Sequence, residues 1–144
     1  MKYRTGRAGR IVLARFDDGD DVLGGLASIA KDEDIRAATV HLVGGMKRGR
    51  FVVGPESEEM PPRPLWRDLG ESHEIVGVGT IFFEGETPRV HLHGAFGKRD
   101  EVKVGCLRAD TQAFIVLEAV ITEITDIEAV REKDPVTGMA LLKL

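Results

Sequence analysis

Apolar residues along the first 54 positions follow more than one rhythm. The stretch GRIVLARFD, Gly9 to Asp17, is β-rich with only loose alternation, the pattern of a strand buried on both faces over part of its length. It runs into DDGDD, Asp17 to Asp21, which lacks the alternate acids, central glycine and closing Glu of a calcium loop and instead predicts a turn into a helix, with Asp20 or Asp21 capping free N–H groups. Val22, Leu23, Leu26, Ile29 and Ala30 then recur at helical spacing, which predicts one amphipathic helix. Gly24 and Gly25 inside it cost up to about 1 kcal/mol each against Ala, so close packing is expected there. AATVHLVGG (Ala37 to Gly45) and GRFVVG (Gly49 to Gly54) read as antiparallel neighbours, with MKRG between them as the turn. His41, between Val40 and Leu42, reads as a packed or hydrogen-bonded core residue.

Four of the six prolines fall between Pro55 and Trp66, which predicts an irregular connection ending in a tryptophan that fills a gap, closes a pocket or anchors an interface. Beyond it the pattern is mostly strand: HEIVGVGTIFFEG, PRVHLHGAFG, EVKVGCLRA and QAFIVLEAVITEI, joined by short turns that imply antiparallel meanders, with PVTGMALLKL as a possible edge strand. The expected fold is α+β, a mostly antiparallel sheet with one principal helix packed on it, in a single domain spanning residues 1–144.

Composition adds constraints. A hydrophobic fraction of 42% and a charged fraction of 31% fit an ordinary globular chain. No secretory leader is visible and no apolar run is long enough to span a membrane, so the expected location is the cytoplasm. The formal net charge of −4 opposes strong nucleic-acid binding, and Lys47, Arg48 and Arg50, like Arg4, Arg7, Arg10 and Arg15, read as scattered solvated charge. A single cysteine, Cys106, excludes an intrachain disulfide and leaves one thiol for packing, redox chemistry or metal.

The candidate chemistry sits in PRVHLHGAF. Side chains alternate along a strand, so His91 and His93 share a face, their Cα atoms roughly 6.5–7 Å apart. If KRDE, Lys98 to Glu101, forms the hairpin loop, His93 lies directly opposite Cys106 and the thiol joins the pair. Two imidazoles and a thiolate suit zinc, with nickel, copper or iron possible by ligand type, and three protein donors leave a position open for water or substrate. The competing reading keeps His91 and His93 as exposed or hydrogen-bonded residues and Cys106 as a small buried hydrophobe. His73 and Glu74 are further candidates, as an extra ligand or a general base. GVG, Gly77 to Gly79, lies inside a strand and carries no dinucleotide fingerprint.

The runs GDDVLGGLASIAKDEDIRAATVHLVGG, HEIVGVGTI, RVHLHGAFG with VGCL, and LEAVITEI, in that order from about Arg10 to Ile124, resemble the PPC (plants and prokaryotes conserved) domain, also met beside AT-hook motifs in plant nuclear proteins. The resemblance implies a compact α+β domain assembled as a homotrimer. It also implies a metal, often zinc, held by a His-x-His pair and a third histidine. His91 and His93 match the pair, and Cys106 stands where the third histidine is expected, keeping a zinc-competent donor. RGRF, Arg48 to Phe51, lacks the proline of an AT-hook. The implied function is a metal-binding protein of binding or regulatory role. A small enzyme using metal-activated water and a DNA-associated protein are the alternatives.

Overall fold

The computed structural model describes residues 1–144. Its elements are β1 (Arg7–Asp17), α1 (Val22–Asp32), β2 (Ala37–Pro55), β3 (Pro64–Leu69), β4 (His73–Glu84), β5 (Thr87–Lys98), β6 (Glu101–Thr125), β7 (Val130–Lys133) and β8 (Ala140–Lys143). Six strands form one antiparallel sheet in the order β1-β6-β5-β4-β2-β3, and β2 also pairs with β6. That extra pairing makes the sheet curl back on itself. The first half of β2 lies between β4 and the second half of β6, with Val40 opposite both Gly79 and Ile121. The second half of β2 lies beside β3 and the first half of β6, with Val52 opposite both Trp66 and Cys106.

Inside the curl, alternate residues of the main-sheet strands form one core with the apolar face of the helix. Leu92 and Phe96 from β5, Ile75 and Ile81 from β4, Leu42 and Phe51 from β2, and Leu107, Leu117 and Ile121 from β6 are fully or almost fully buried together with Val22, Leu26 and Ala30 of α1. The rings of Phe51 and Phe96 stack with centroids 4.9 Å apart. Burying side chains of this size stabilises by about 1.5–3 kcal/mol each, which is what drives the sheet to close around them. The helix is short, 11 residues, so the expected principal helix is in fact a single small plug in a predominantly β fold.

Its start differs from the expected cap. Asp21 is the N-cap residue but makes no side-chain bond to the helix. Instead the Leu23 N–H donates to Thr111 Oγ1 at 3.0 Å, and that hydroxyl donates to Asp21 Oδ1 at 2.6 Å, so β6 supplies the acceptor. Asp20 serves the turn, accepting from the Asp17 N–H at 2.8 Å. The expected close packing at Gly25 is met by the Phe16 ring, which leaves no room for a Cβ.

Five further expectations change. The MKRG stretch is not a turn: β2 runs unbroken for 19 residues, and its glycines bend it without ending it. EVKVGCLRA and QAFIVLEAVITEI are likewise one 25-residue strand, β6, in which Asp110 and Ile115 take positive φ where the ladder to β2 shifts register. The proline-rich connection is shorter than expected, because Pro64–Leu69 pairs with β2 and places Trp66 beneath the Arg50 guanidinium, 4.9 Å from ring centroid to Cζ. The C-terminal segment does not extend the main sheet; β7 and β8 pair with each other in a separate ribbon. His41, expected in the core, is exposed on the outer face between Val78 and Val120.

The bend in β2 centres on Gly44, at φ +136°, where a Cβ would lie 2.5 Å from the Val116 carbonyl oxygen and 2.7 Å from Leu117 Cα. Both obstacles are backbone, so relief requires the β2–β6 ladder to move. Gly44→Ala is expected to destabilise the fold by about 2–4 kcal/mol, read as a lowered urea midpoint; an unchanged midpoint would show that the bend tolerates a side chain.

Candidate metal centre

The site begins with the alternation of β5. Leu92, Gly94 and Phe96 turn into the core, so His91 and His93 must stand on the opposite, outer face. The hairpin to β6 closes tightly: Lys98 pairs with Glu101 and only Arg99 and Asp100 remain in the turn, Arg99 at φ 54°. From there the ladder continues through Gly97 opposite Val102 and Gly94 opposite Gly105 to His93 opposite Cys106. The loop is two residues shorter than KRDE, yet the register that places the thiol beside His93 is the one expected.

The three donors converge. One ligand atom from each of His91, His93 and Cys106 lies within 4.8 Å of the other two. The two Nε2 atoms are 3.2 Å apart, with the rings edge to face at 76°. In a tetrahedral zinc site with Zn–N bonds of about 2.0–2.1 Å, two ligating nitrogens stand about 3.3 Å apart, so the imidazoles are already spaced to share an ion. His91 is half-buried and His93 exposed, whereas the cysteine is only 4% exposed.

The electrostatics favour the metal-binding forms in one respect and oppose them in another. Burial, with smaller contributions from Arg131, His93 and Arg108, pushes the His91 pKa down to about 4, so this ring is neutral near pH 7 with a free lone pair. Burial pushes the Cys106 thiol up, against the pull of Arg108, the Leu92 N–H and Arg131. A cation in the site would reverse that balance, because a coordinating thiol gives up its proton.

The family model for the plants and prokaryotes conserved (PCC) domain matches residues 3–125. The chain belongs to this family. Solved structures agree on the fold of the PCC domain. A metal-containing protein from Archaeoglobus fulgidus is 23% identical with a TM-score of 0.86, covering 100% of both chains. A plant- and prokaryote-conserved protein from Pyrococcus horikoshii is also 23% identical at a TM-score of 0.86, covering 100% of this chain and 98% of its own. A candidate DNA-binding protein from Ralstonia eutropha is 21% identical at 0.77, covering 92% and 90%. A search of curated proteins finds no match.

His73 and Glu74 do not join the donors. Val78 is the residue of β4 opposite His93, and Glu74 lies four positions further along the same strand, about 13 Å away at the strand rise. His73 turns inward, buried, with Nδ1 2.8 Å from the Glu71 carbonyl oxygen. Both residues instead line a separate open groove of about 430 Å³ with Lys98 and Arg99. Conversely, the structure brings in Arg131, from β7, which nothing in the sequence pattern singles out. Its Nη2 donates to Thr80 Oγ1 at 3.2 Å, and Thr80 is the direct cross-strand partner of His91.

A buried thiol with a raised pKa is a poor nucleophile. In metal-free protein at pH 7, iodoacetamide is expected to alkylate Cys106 at least about tenfold more slowly than free cysteine; alkylation at the free rate would contradict the burial described here.

Proposed function

We propose that this protein binds a divalent metal, most favourably zinc, through His91, His93 and Cys106, and acts as a homotrimer in a binding or regulatory role. One observation carries the metal reading: three donors of zinc-competent type lie within 4.8 Å of one another on the outer face of one hairpin. Two imidazoles and a thiolate match zinc in softness and number, and they leave a fourth position for water or a ligand. The metal-containing relative from Archaeoglobus fulgidus supports the same reading. When bound, the ion would supply Lewis acidity at that open position. The enzymatic alternative asks for a proton carrier beside the ion, and the two residues considered for it, His73 and Glu74, lie elsewhere. The DNA-associated alternative has to work against a net charge of −4.

That the assembly has three copies is what the resemblance to the PPC family implies, and the outer face supports association as such. Val43 pairs with Val76, Val76 with Ala95, and Ala95 with Val104, so one apolar row crosses β2, β4, β5 and β6. A second row sets Leu13 opposite Val120 and continues through His41 to Val78. Val43, Val76, Val78 and Val104 are each more than half exposed in the single chain, at 52%, 64%, 56% and 59%. A contiguous apolar face of this kind marks an interaction surface, and a second copy offers a face of the same chemistry. The second row runs on through His93 and Cys106 to Val52 and Trp66, so association through this face would set the metal donors beside it.

Protein prepared without a histidine tag and stripped with chelator is expected to take up about one zinc per chain, measured by elemental analysis. His93→Ala and Cys106→Ser should each weaken uptake by more than about a hundredfold, beyond the loss typical of an outer-shell partner. Wild-type protein that takes up no zinc would remove the metal reading.

For the assembly, light scattering is expected to give a trimer for the wild type and a monomer for Val76→Glu, because a carboxylate cannot be buried unpaired at the centre of an apolar interface. A wild-type monomer at micromolar concentration, or a Val76→Glu trimer, would exclude this face as the contact.

A further inference from the structure

Two cations flank the three donors, and neither has an acidic partner. Arg131 reaches the site from the C-terminal ribbon, beyond the residues that the family model matches. Its guanidinium is half-buried and is held by two neutral acceptors, Thr80 Oγ1 at 3.2 Å and the Ala140 carbonyl oxygen at 3.5 Å, with the Phe82 ring centroid 5.9 Å from Cζ. Arg108 follows Cys106 by two residues on β6, so it stands on the same face, and one further step of the Leu92–Leu107 register sets it beside His91. Neither arginine takes part in any ion pair of the chain.

This arrangement is unusual for arginine. A partly desolvated guanidinium is normally paired, because removing its hydration without a counter-charge is costly. Thr80 and Ala140 occupy part of the guanidinium and fix its position, while its positive charge stays uncompensated. The neighbouring donors do not compensate it either: two neutral imidazoles and one thiolate around a divalent cation leave a net positive centre. The planar fork of an arginine fits the paired oxygens of a carboxylate or phosphate group, and a metal held by the three donors would have a position left to accept an oxygen.

We propose that the site binds a small oxyanion, carrying a carboxylate or phosphate group, whose one oxygen completes the coordination of the metal while its others are held by Arg131 and assisted by Arg108. The proposal rests on the metal reading above and deepens it, since it names the class of ligand that the centre would take. Arg131 is its positioning residue: it selects for negative charge at the open position and lies on a ribbon that is otherwise peripheral to the main sheet.

Cobalt(II) serves as the probe because a thiolate–cobalt centre absorbs in the near-ultraviolet and visible. Chelator-stripped protein is loaded with cobalt, then titrated separately with oxalate and with inorganic phosphate at constant ionic strength. A saturable shift of the visible bands with either anion is expected, and the anion that shifts them identifies which oxygen chemistry is preferred. In Arg131→Gln the dissociation constant for that anion should rise at least tenfold, while cobalt affinity and the thermal midpoint of the metal-free protein stay near wild type. A cobalt spectrum that ignores both anions, or an equal response from Arg131→Gln, overturns the oxyanion site and leaves the metal reading standing. Absence of a thiolate–cobalt band overturns both.

Discussion

The pairing of His93 with Cys106 is the constraint on which the functional reading depends, and the core enforces it. Leu92 opposite Leu107 and Gly94 opposite Gly105 are the same ladder seen from the inner face. Sliding β6 by one residue would turn Leu107 out to solvent and bring Cys106 inward. Gly105 adds a second lock. A Cβ there would lie 2.5 Å from Phe51 Cδ2 and 2.7 Å from the Val52 carbonyl oxygen, so no other residue of β6 can occupy the place under Phe51 without displacing it. The candidate donors are thus aligned by residues of the opposite face: an apolar stack on one side of the sheet fixes which side chains meet on the other.

How much of this was visible in the chain itself depends on the range of the interaction. The β5–β6 hairpin is local, its alternation is clean and its turn is short, so the shared face of His91, His93 and Cys106 could be deduced from spacing alone. The long strands were less legible. Gly44 and Gly45, and the Arg108–Asp110 stretch, carry the composition of turns, but in the folded molecule β2 is paired on both sides at its glycines and β6 stays laddered to β2 through Ala109, so the glycines and positive-φ residues provide curvature and not an end. Closure of the sheet joins residues as distant as Ala38 and Glu123, a relation that leaves no trace in a local periodicity. The exposure of His41 follows from the same point, since which face of β2 becomes the interior is decided by β4 and β6. Arg131 had no motif to announce it; only the packing of the ribbon against β4 brings it to Thr80.

The outer face combines features that are usually kept apart. Exposed valines favour association, whereas exposed imidazoles and guanidiniums favour water or small ligands. Here they lie on adjacent rows of one sheet, with the titratable groups gathered at the His91–Cys106 end. Burial of His91 keeps its ring neutral, which suits coordination, and the surrounding arginines would make the same spot hospitable to negative charge. The proposed assembly contact and the proposed ligand site, both placed on this one continuous surface, would couple oligomer state to occupancy, since anything that reorders the β5–β6 hairpin would be felt by both.

The closed topology also bears on how the chain is made. In the main sheet β1 has one partner, the far half of β6, and its first residue pairs 118 positions downstream, Arg7 with Thr125. At ribosomal speeds of about 5–20 residues per second, that partner emerges roughly 6–24 s later. Throughout the interval β1 is an unpaired edge of eleven residues, a segment that could associate with other nascent chains. The arginines at 7, 10 and 15, of which Arg10 ends in a bond to Glu123 at 2.9 Å, keep that strand charged and solvated until its mate arrives.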